Sequence, residues 1–250
     1  MPDLKPIVLI PARMASTRLP GKPLADIHGE PMIVHCWRRA EEAAIGPVVV
    51  ACAEAEVCQA IHAVGGNAVL TRPDHPSGSD RIFEALSSFD PQGHHQIVVN
   101  LQGDLPTIDP AVIQKVLLPL KEKQNDLATL VVEITDPDER RNPNVVKAAL
   151  DFAPGQDVAQ ALYFSRAPVP WGGPDDELPL YHHVGIYAYR RAALDRFVSL
   201  PPSPLEQREK LEQLRALEAG MKIGAARVDM LPLGVDTPAD LQRARVLLEK

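Results

Sequence analysis

Arg13, Arg18 and Lys22 fall within ten residues of one another, in the segment IPARMASTRLPGKPL that runs from Ile10 to Leu24. In a chain whose formal net charge is -7, three clustered cations suggest a local demand for positive charge. Together with backbone N–H groups they can hold a triphosphate, and Gly21 permits close backbone approach. A solvated surface loop would also carry such charges, so the reading depends on where the loop sits. The segment is not the standard phosphate loop, Gly-x-x-x-x-Gly-Lys-Ser/Thr. Pro23 follows Lys22 here, and position 16 is Ser. No Gly-x-Gly-x-x-Gly is present either, which argues against a dinucleotide cofactor.

The elements that must position this loop follow from hydrophobic periodicity. Ile7 to Pro11 is a short apolar run that reads as a buried strand, so the cations lie just beyond its carboxyl end, where open α/β sheets bind ligands. Pro31 opens a helix with Ile33, Cys36, Trp37, Ala40 and Ala44 on one face. Pro47–Cys52 is a second strand, and a helix carrying Val57, Ala60, Ile61 and Val64 stops at Gly65-Gly66. Ala68–Leu70, a helix with Ile82, Phe83, Leu86 and Phe89, and the strand Gln96–Leu101 continue the alternation. Asp109 and Pro110 begin a further helix lined by Val112, Val116, Leu117 and Leu120. Repeated strand and helix predict a Rossmann-like, doubly wound, mostly parallel sheet. The rhythm then changes. Ala128–Ile134, Val145–Leu150, Ala161–Ser165 and Val184–Tyr189 read as strands with little helix between them, a mixed or antiparallel extension. Matching capping boxes at Ser203–Glu206 and Thr237–Asp240 start two late helices. No linker separates independent domains. One domain, 1–250, is expected, with a nucleotide-binding part to about 125, a second part at about 126–235 and a terminal helix at 237–249.

Composition sets the class. Hydrophobic residues are 45% and charged ones 24%, enough to bury a core. The acidic balance argues against nucleic-acid binding. Cys36, Cys52 and Cys58 leave an odd thiol and form no C-x-x-C pair, which fits a reducing compartment. Cys58 and His62 have i, i+4 spacing, but two ligands do not make a zinc site. No run could span a bilayer, so a soluble cytoplasmic protein is expected.

The loop resembles the signature segment of the 3-deoxy-manno-octulosonate (Kdo) cytidylyltransferases. SGSDR (77–81), NLQGD (100–104), NPNVVK (142–147), ALYFSR (161–166), HVGIYAYR (183–190), PSPLEQREKLEQLR (202–215) and GVDTPADL (234–241) extend the match in order from Ile7 to about Leu248. The resemblance implies an α/β fold of the nucleotide-diphospho-sugar transferase type, a homodimer, and CTP and Kdo as substrates, with CMP-Kdo and pyrophosphate as products in lipopolysaccharide biosynthesis. It places Arg13 and Lys22 on the CTP phosphates, with Ser16 in the same loop, and Pro11, Ala12, Arg81 and Gln102 around the cytosine. Asp104 and Asp236 would hold magnesium, which prefers carboxylate and phosphate oxygens. Arg166, His183, Tyr187, Glu212 and Gln213 would line the sugar-acid pocket, Arg166 offering a bidentate carboxylate partner. By its residue type alone, each Asp could instead be a turn or cap residue, and His183 a structural one.

The chain departs from the family pattern in places. Leu105 stands where many relatives have Glu, Ala51-Cys52-Ala53 replaces Ala-Thr-Asp, and His182 replaces Arg or Lys. These changes leave three readings open: Kdo itself, an 8-amino analogue or another acidic sugar, or an inactive CTP-binding module.

Overall fold

Seven uncharged residues, PIVLIPA, form the first strand, β1 (Pro6–Ala12). Ile7, Val8, Leu9 and Ile10 are wholly buried, as a strand covered on both faces of a parallel sheet requires. The computed structural model describes residues 5–172 and 178–249. The chain divides into two compact units, Met1–Gln114 with Pro232–Lys250, and Lys115–Leu231. The sequence suggested a change of character near 125; the division falls some ten residues earlier, and the last helix belongs with the first unit.

In the first unit, β1 is followed by the cationic loop, a 3-10 turn at Lys22–Leu24, and a hairpin of β2 (Asp26–Ile27) and β3 (Glu30–Pro31). Helix α1 (Met32–Glu42) buries Met32, Ile33, Val34, Cys36 and Ala40. Its expected face ran on to Ala44, but Ala44 adopts φ +51°, outside the right-handed helical region. β4 (Val48–Cys52), α2 (Ala55–Ala63), β5 (Asn67–Leu70), α3 (Gly78–Phe89), β6 (Ile97–Asn100) and α4 (Pro110–Lys115) continue the alternation. The helix predicted to reach Leu120 thus ends at Lys115, and a 3-10 turn at Leu118–Lys121 replaces its last turn. Pro119 explains the break, because it has no N–H and its ring clashes with the carbonyl one turn earlier.

The strands β5-β4-β1-β6 are hydrogen-bonded in that order, all parallel. The chain leaves β1 toward β4 on one side and later returns to its other side as β6. The loops after β1 and β6 therefore diverge, opening a crevice at the carboxyl ends of these strands.

The second unit contains β7 (Leu127–Glu133), α5 (Pro137–Arg141), β8 (Lys147–Ala149), β9 (Val158–Ala161), β10 (Tyr163–Ser165), β11 (Tyr181–Arg190), α6 (Arg191–Ser199), α7 (Pro204–Glu209), α8 (Leu214–Glu218) and β12 (Ile223–Val228). β7 is flanked by antiparallel β11 and parallel β12, and β9 runs antiparallel to β12. Mixed pairing was expected, but β12 and α6 were not. IGAARV offers little β-branched signal. It becomes a strand because β7 and β9 supply its hydrogen bonds, and Gly224 lets it lie close to Pro119 and Asn125.

A bulge in β11 shapes this unit. Val184 pairs with Leu130 and Tyr187 with Thr129, so Gly185 and Ile186 are extra residues opposite one step of β7. The Thr129 hydroxyl lies 3.1 Å from the Val184 carbonyl and 2.9 Å from that of Ile186, pinning the irregularity. In a regular strand, residues four apart stand roughly 13 Å from each other. The bulge shortens that separation, and the rings of His183 and Tyr187 are only 5.5 Å apart. Helix α9 (Pro238–Leu247) completes the first unit, with the Thr237 hydroxyl accepting from the Asp240 N–H at 3.2 Å.

A Cβ added at Gly224 would lie 2.4 Å from Asn125 Nδ2 and 2.6 Å from Pro119 Cβ, whereas one at Gly234 would meet nothing within 4 Å. Gly224→Ala is expected to lower unfolding free energy by about 1–3 kcal/mol in urea titration. Gly234→Ala is the control and should change it by less than about 0.5 kcal/mol.

Candidate active site

The crevice at the ends of β1 and β6 is a cleft of about 400 Å³. Ala12 ends β1, and its carbonyl accepts from the Ala53 N–H at 2.9 Å, so the cationic loop departs from a fixed point. The Glu54 carboxylate then accepts from the Met14 N–H at 3.0 Å. Within the loop, Ser16 Oγ accepts from Leu19 N–H at 3.3 Å. Gly21 takes φ +69°, a left-handed conformation that glycine adopts without steric cost. That turn carries Lys22 back over the cleft. Gly103 has a different role: a Cβ there would come within 2.8 Å of the Pro11 carbonyl, so only glycine lets the β6 loop lie against β1.

Lys22 joins the acidic turns. Its ammonium donates to Asp104 Oδ2 at 2.8 Å and to Asp236 Oδ1 at 3.0 Å. Arg18 donates to the other Asp236 oxygen at 2.9 Å. The Val235 N–H, hydrogen-bonded to the Asp104 carbonyl at 2.9 Å, holds the two acidic segments together. Burial by itself would lower the pKa of Lys22. The charge of Asp104 and hydrogen bonds to both carboxylates outweigh it, so the pKa lies above its ordinary value. Behind this group the buried Cys36 thiol is pushed up, first by burial and then by the charge of Asp104; it stays protonated and inert.

Pro11, Ala12, Arg13, Ser16, Lys22, Arg81, Gln102, Asp104 and Asp236 all line this cleft. Arg13 is exposed. Arg81 is only 2% exposed, and its guanidinium donates to Thr71 Oγ1 at 2.7 Å and to the carbonyls of Arg72 and Pro73. It braces the cleft wall as well as facing it. His75, Ser77 and Gly78 line the cleft too and were not singled out for this role. The readable signal was Ser77 three residues before Asp80 at the head of an amphipathic helix: Ser77 Oγ caps α3 by accepting from the Asp80 N–H at 3.2 Å. The N-terminus of α3 thereby faces the cleft, a position that favours anions. Leu105 and Ala53, where the family pattern has carboxylates, are 7% and 9% exposed, so apolar packing fills those positions.

The second unit gathers the other expected residues. His183 is buried, and its Nε2 lies 3.0 Å from the Thr129 hydroxyl. With Nε2 protonated, His183 donates to that oxygen and leaves the hydroxyl proton for the Val184 and Ile186 carbonyls. Burial, followed by the proximity of His182, lowers its pKa to about 3. The Tyr187 hydroxyl is held well above its usual range by burial, and then by Tyr189 and Glu212. Gln213 is 5% exposed, and its Nε2 has no hydrogen-bond partner among the described residues, leaving a donor available to a sugar oxygen. Arg166 donates through Nε to the Glu209 carbonyl at 2.8 Å and through Nη1 to that of Pro143 at 3.0 Å. It is thereby tied to the turn leading to Glu212 and Gln213.

Positive charge is thus gathered at a sheet switch point where a triphosphate would lie, and carboxylates able to hold a divalent cation stand beside it. This fold and cleft define a nucleotidyltransferase. The profile described as cytidylyltransferase matches residues 7–223, and the chain belongs to that family, among the 3-deoxy-manno-octulosonate cytidylyltransferases. It is 64% identical over 249 residues to the protein of that name from Paramagnetospirillum magneticum, covering 100% of both chains. It is 65% identical to the one from Rhodospirillum rubrum, over 97% of this chain and 95% of that one. Among solved structures, a CMP:2-keto-3-deoxy-manno-octonic acid synthetase complexed with CTP superposes with a TM-score of 0.89 at 41% identity, covering 98% of each chain. The 4-diphosphocytidyl-2C-methyl-D-erythritol synthase of Anaerococcus prevotii, 12% identical with a TM-score of 0.64 over 98% of this chain and 99% of that one, shares the fold.

The buried histidine gives a pH prediction. Its folded pKa lies below the unfolded value near 6.5, so its contribution is complete above pH 6.5 and lost as pH falls toward 3. Each pH unit in that window should remove up to about 1.4 kcal/mol of stability from this group. Urea unfolding between pH 7 and 4 should therefore be less steeply pH-dependent in His183→Gln than in the parent chain.

Proposed function

We propose that this protein transfers CMP from CTP to the anomeric hydroxyl of 3-deoxy-D-manno-octulosonate, releasing pyrophosphate, with magnesium as cofactor. The observation that carries this reading is the Lys22 ammonium set between Asp104 and Asp236 at the carboxyl end of the parallel sheet. It is supported by the CTP-complexed relative and by the names of the full-length relatives.

The donor set suits magnesium. Two carboxylates already share one cation, and magnesium takes few protein oxygens while keeping water and phosphate ligands. Asp104 and Asp236 would hold it. When bound, it would screen the phosphates and lower the pKa of the attacking hydroxyl. The protein's own part is positioning and charge. Arg13, Arg18 and Lys22 neutralise the triphosphate, while Arg81 and Gln102 shape the base end of the cleft. Arg166, His183, Tyr187, Glu212 and Gln213 orient the sugar acid. The anomeric hydroxyl gives up its proton to solvent as its oxygen bonds to the α-phosphorus in line and the bond to pyrophosphate breaks. Phosphoryl transfer of this kind requires little covalent help, so orientation and electrostatics supply most of the acceleration. His183, neutral at physiological pH, serves this as a hydrogen-bonding and packing group.

The cellular role we infer is activation of the sugar acid for lipopolysaccharide synthesis in the cytoplasm. The three cysteines, all free and buried, are compatible with a reducing compartment, and no described helix is long and apolar enough to cross a membrane. The active form we infer is a homodimer. Leu162, Trp171 and Leu178, exposed apolar side chains of the second unit, support self-association.

Pyrophosphate release from CTP and magnesium should depend on added Kdo and exceed that with 8-amino-Kdo or neuraminate. Asp104→Ala and Asp236→Ala should each lower kcat at least about 100-fold, and chelation of the metal should abolish release. Binding of CTP without release with any sugar would identify a binding module instead. In light scattering, Leu162→Asp should shift the mass from two chains to one.

A further inference from the structure

Lys147 lies at the end of the NPNVVK segment, on β8, and is completely buried. No carboxylate forms an ion pair with it among the described residues. Its ammonium donates to two carbonyls, that of Asn142 at 2.7 Å and that of Arg166 at 3.3 Å. Burying a cation this way is unfavourable, and an apolar side chain of equal length would fill the space without that penalty. The fold alone gives no reason for the charge.

Its bonds point to a reason. Arg166 donates to the Pro143 carbonyl, next to the Asn142 carbonyl that Lys147 holds, and Lys147 also grips the carbonyl of Arg166 itself. Lysine, arginine and the 142–143 turn close a ring of hydrogen bonds. The side-chain bonds of both cations end on carbonyls, so neither charge is cancelled by a bonded carboxylate. His182 is the cross-strand partner of Lys147; burial, and then the lysine's charge, lower the pKa of that imidazole. Glu139 faces the same region, 3.9 Å from His182. Glu209 faces Arg166 from α7, its carboxylate taken by the Ser165 hydroxyl and the Arg166 N–H.

We propose that Lys147 is a positioning and specificity residue for the sugar acid: it fixes Arg166 and contributes the positive potential that selects a carboxylate-bearing sugar. This rests on the assignment of Arg166 to the sugar pocket. The lysine does not touch the substrate; it acts through the arginine and through its field, which in a poorly solvated site falls off slowly.

The test is steady-state kinetics of the full-length enzyme with Kdo, together with competitive inhibition by the Kdo carboxamide, which lacks the negative charge. In Lys147→Met the KM for Kdo should rise at least about tenfold while the KM for CTP stays within about twofold. The carboxamide should bind nearly as before, so the preference for acid over amide collapses. Lys147→Gln keeps a donor for the carbonyls but not the charge; it should fold even where the methionine variant does not, and should show the same collapse. Equal weakening of acid and amide, or an unchanged KM for Kdo, would overturn the proposal. Arg166→Met separates the two levels. If it raises the KM for Kdo while the lysine variants do not, only the role of Lys147 fails. If it too leaves that KM unchanged, the pocket assignment fails with it.

Discussion

Lys22 is bonded to carboxylates 82 and 214 residues away in the chain, and the arrangement of the first unit's cleft depends on that three-way contact. Without a cation between them, Asp104 and Asp236 would be like charges held side by side by the backbone bond from Val235 to Asp104. Unscreened, such a pair repels by several kcal/mol, roughly 4 at an effective dielectric of 20 and 4 Å. The ammonium removes that repulsion and orients both carboxylates. It adds little net stability, since the groups are partly exposed and pairs of that kind contribute about 0–1 kcal/mol. Its value is geometric: a loop, a strand end and the approach to a helix cap are held together at one end of the cleft.

The parallel sheet makes that contact possible. Because β1 has β4 on one side and β6 on the other, the loops leaving β1 and β6 part at one spot, and polar groups can enter there without unpairing the sheet. Glycine sets how closely they approach. Gly103 lies against the Pro11 carbonyl, and Gly21 turns the cationic loop back over the cleft. The loss of two family carboxylates at Leu105 and Ala53 is absorbed by apolar burial, which leaves Asp104 and Asp236 as the acidic pair.

The second unit solves a different problem by a related device. Several polar groups meet in one place here, whereas a regular strand spreads residues of one face along its length. The bulge at Gly185 and Ile186, held by Thr129, brings His183 and Tyr187 into ring contact. Arg166 and Lys147, buried or tied by backbone carbonyls, fix the neighbouring turns. Such hydrogen-bonded polar networks rigidify a site, and each element depends on the others holding their partners.

The sequence by itself determined the class of fold, the cationic loop and the acidic turns. These are encoded locally: an apolar run before Arg13, alternating strand and helix patterns, Ser or Thr three residues before an acid. The motif matches carried the family. What lay beyond local reading was decided by distant partners. The strand at Ile223–Val228 exists because β7 and β9 supply its hydrogen bonds, though its own residues scarcely favour a strand. The helix after Asp109 stops at Lys115 on account of a proline the apolar pattern overrode. The pairing of Lys22 with both acids and the bulge beside Thr129 follow from contacts between residues 55 to 214 positions apart in the chain. Periodicity records which side of an element faces the core, but not which polar group of a remote segment will meet it there; that is settled only when the chain closes on itself and buried backbone donors take their acceptors.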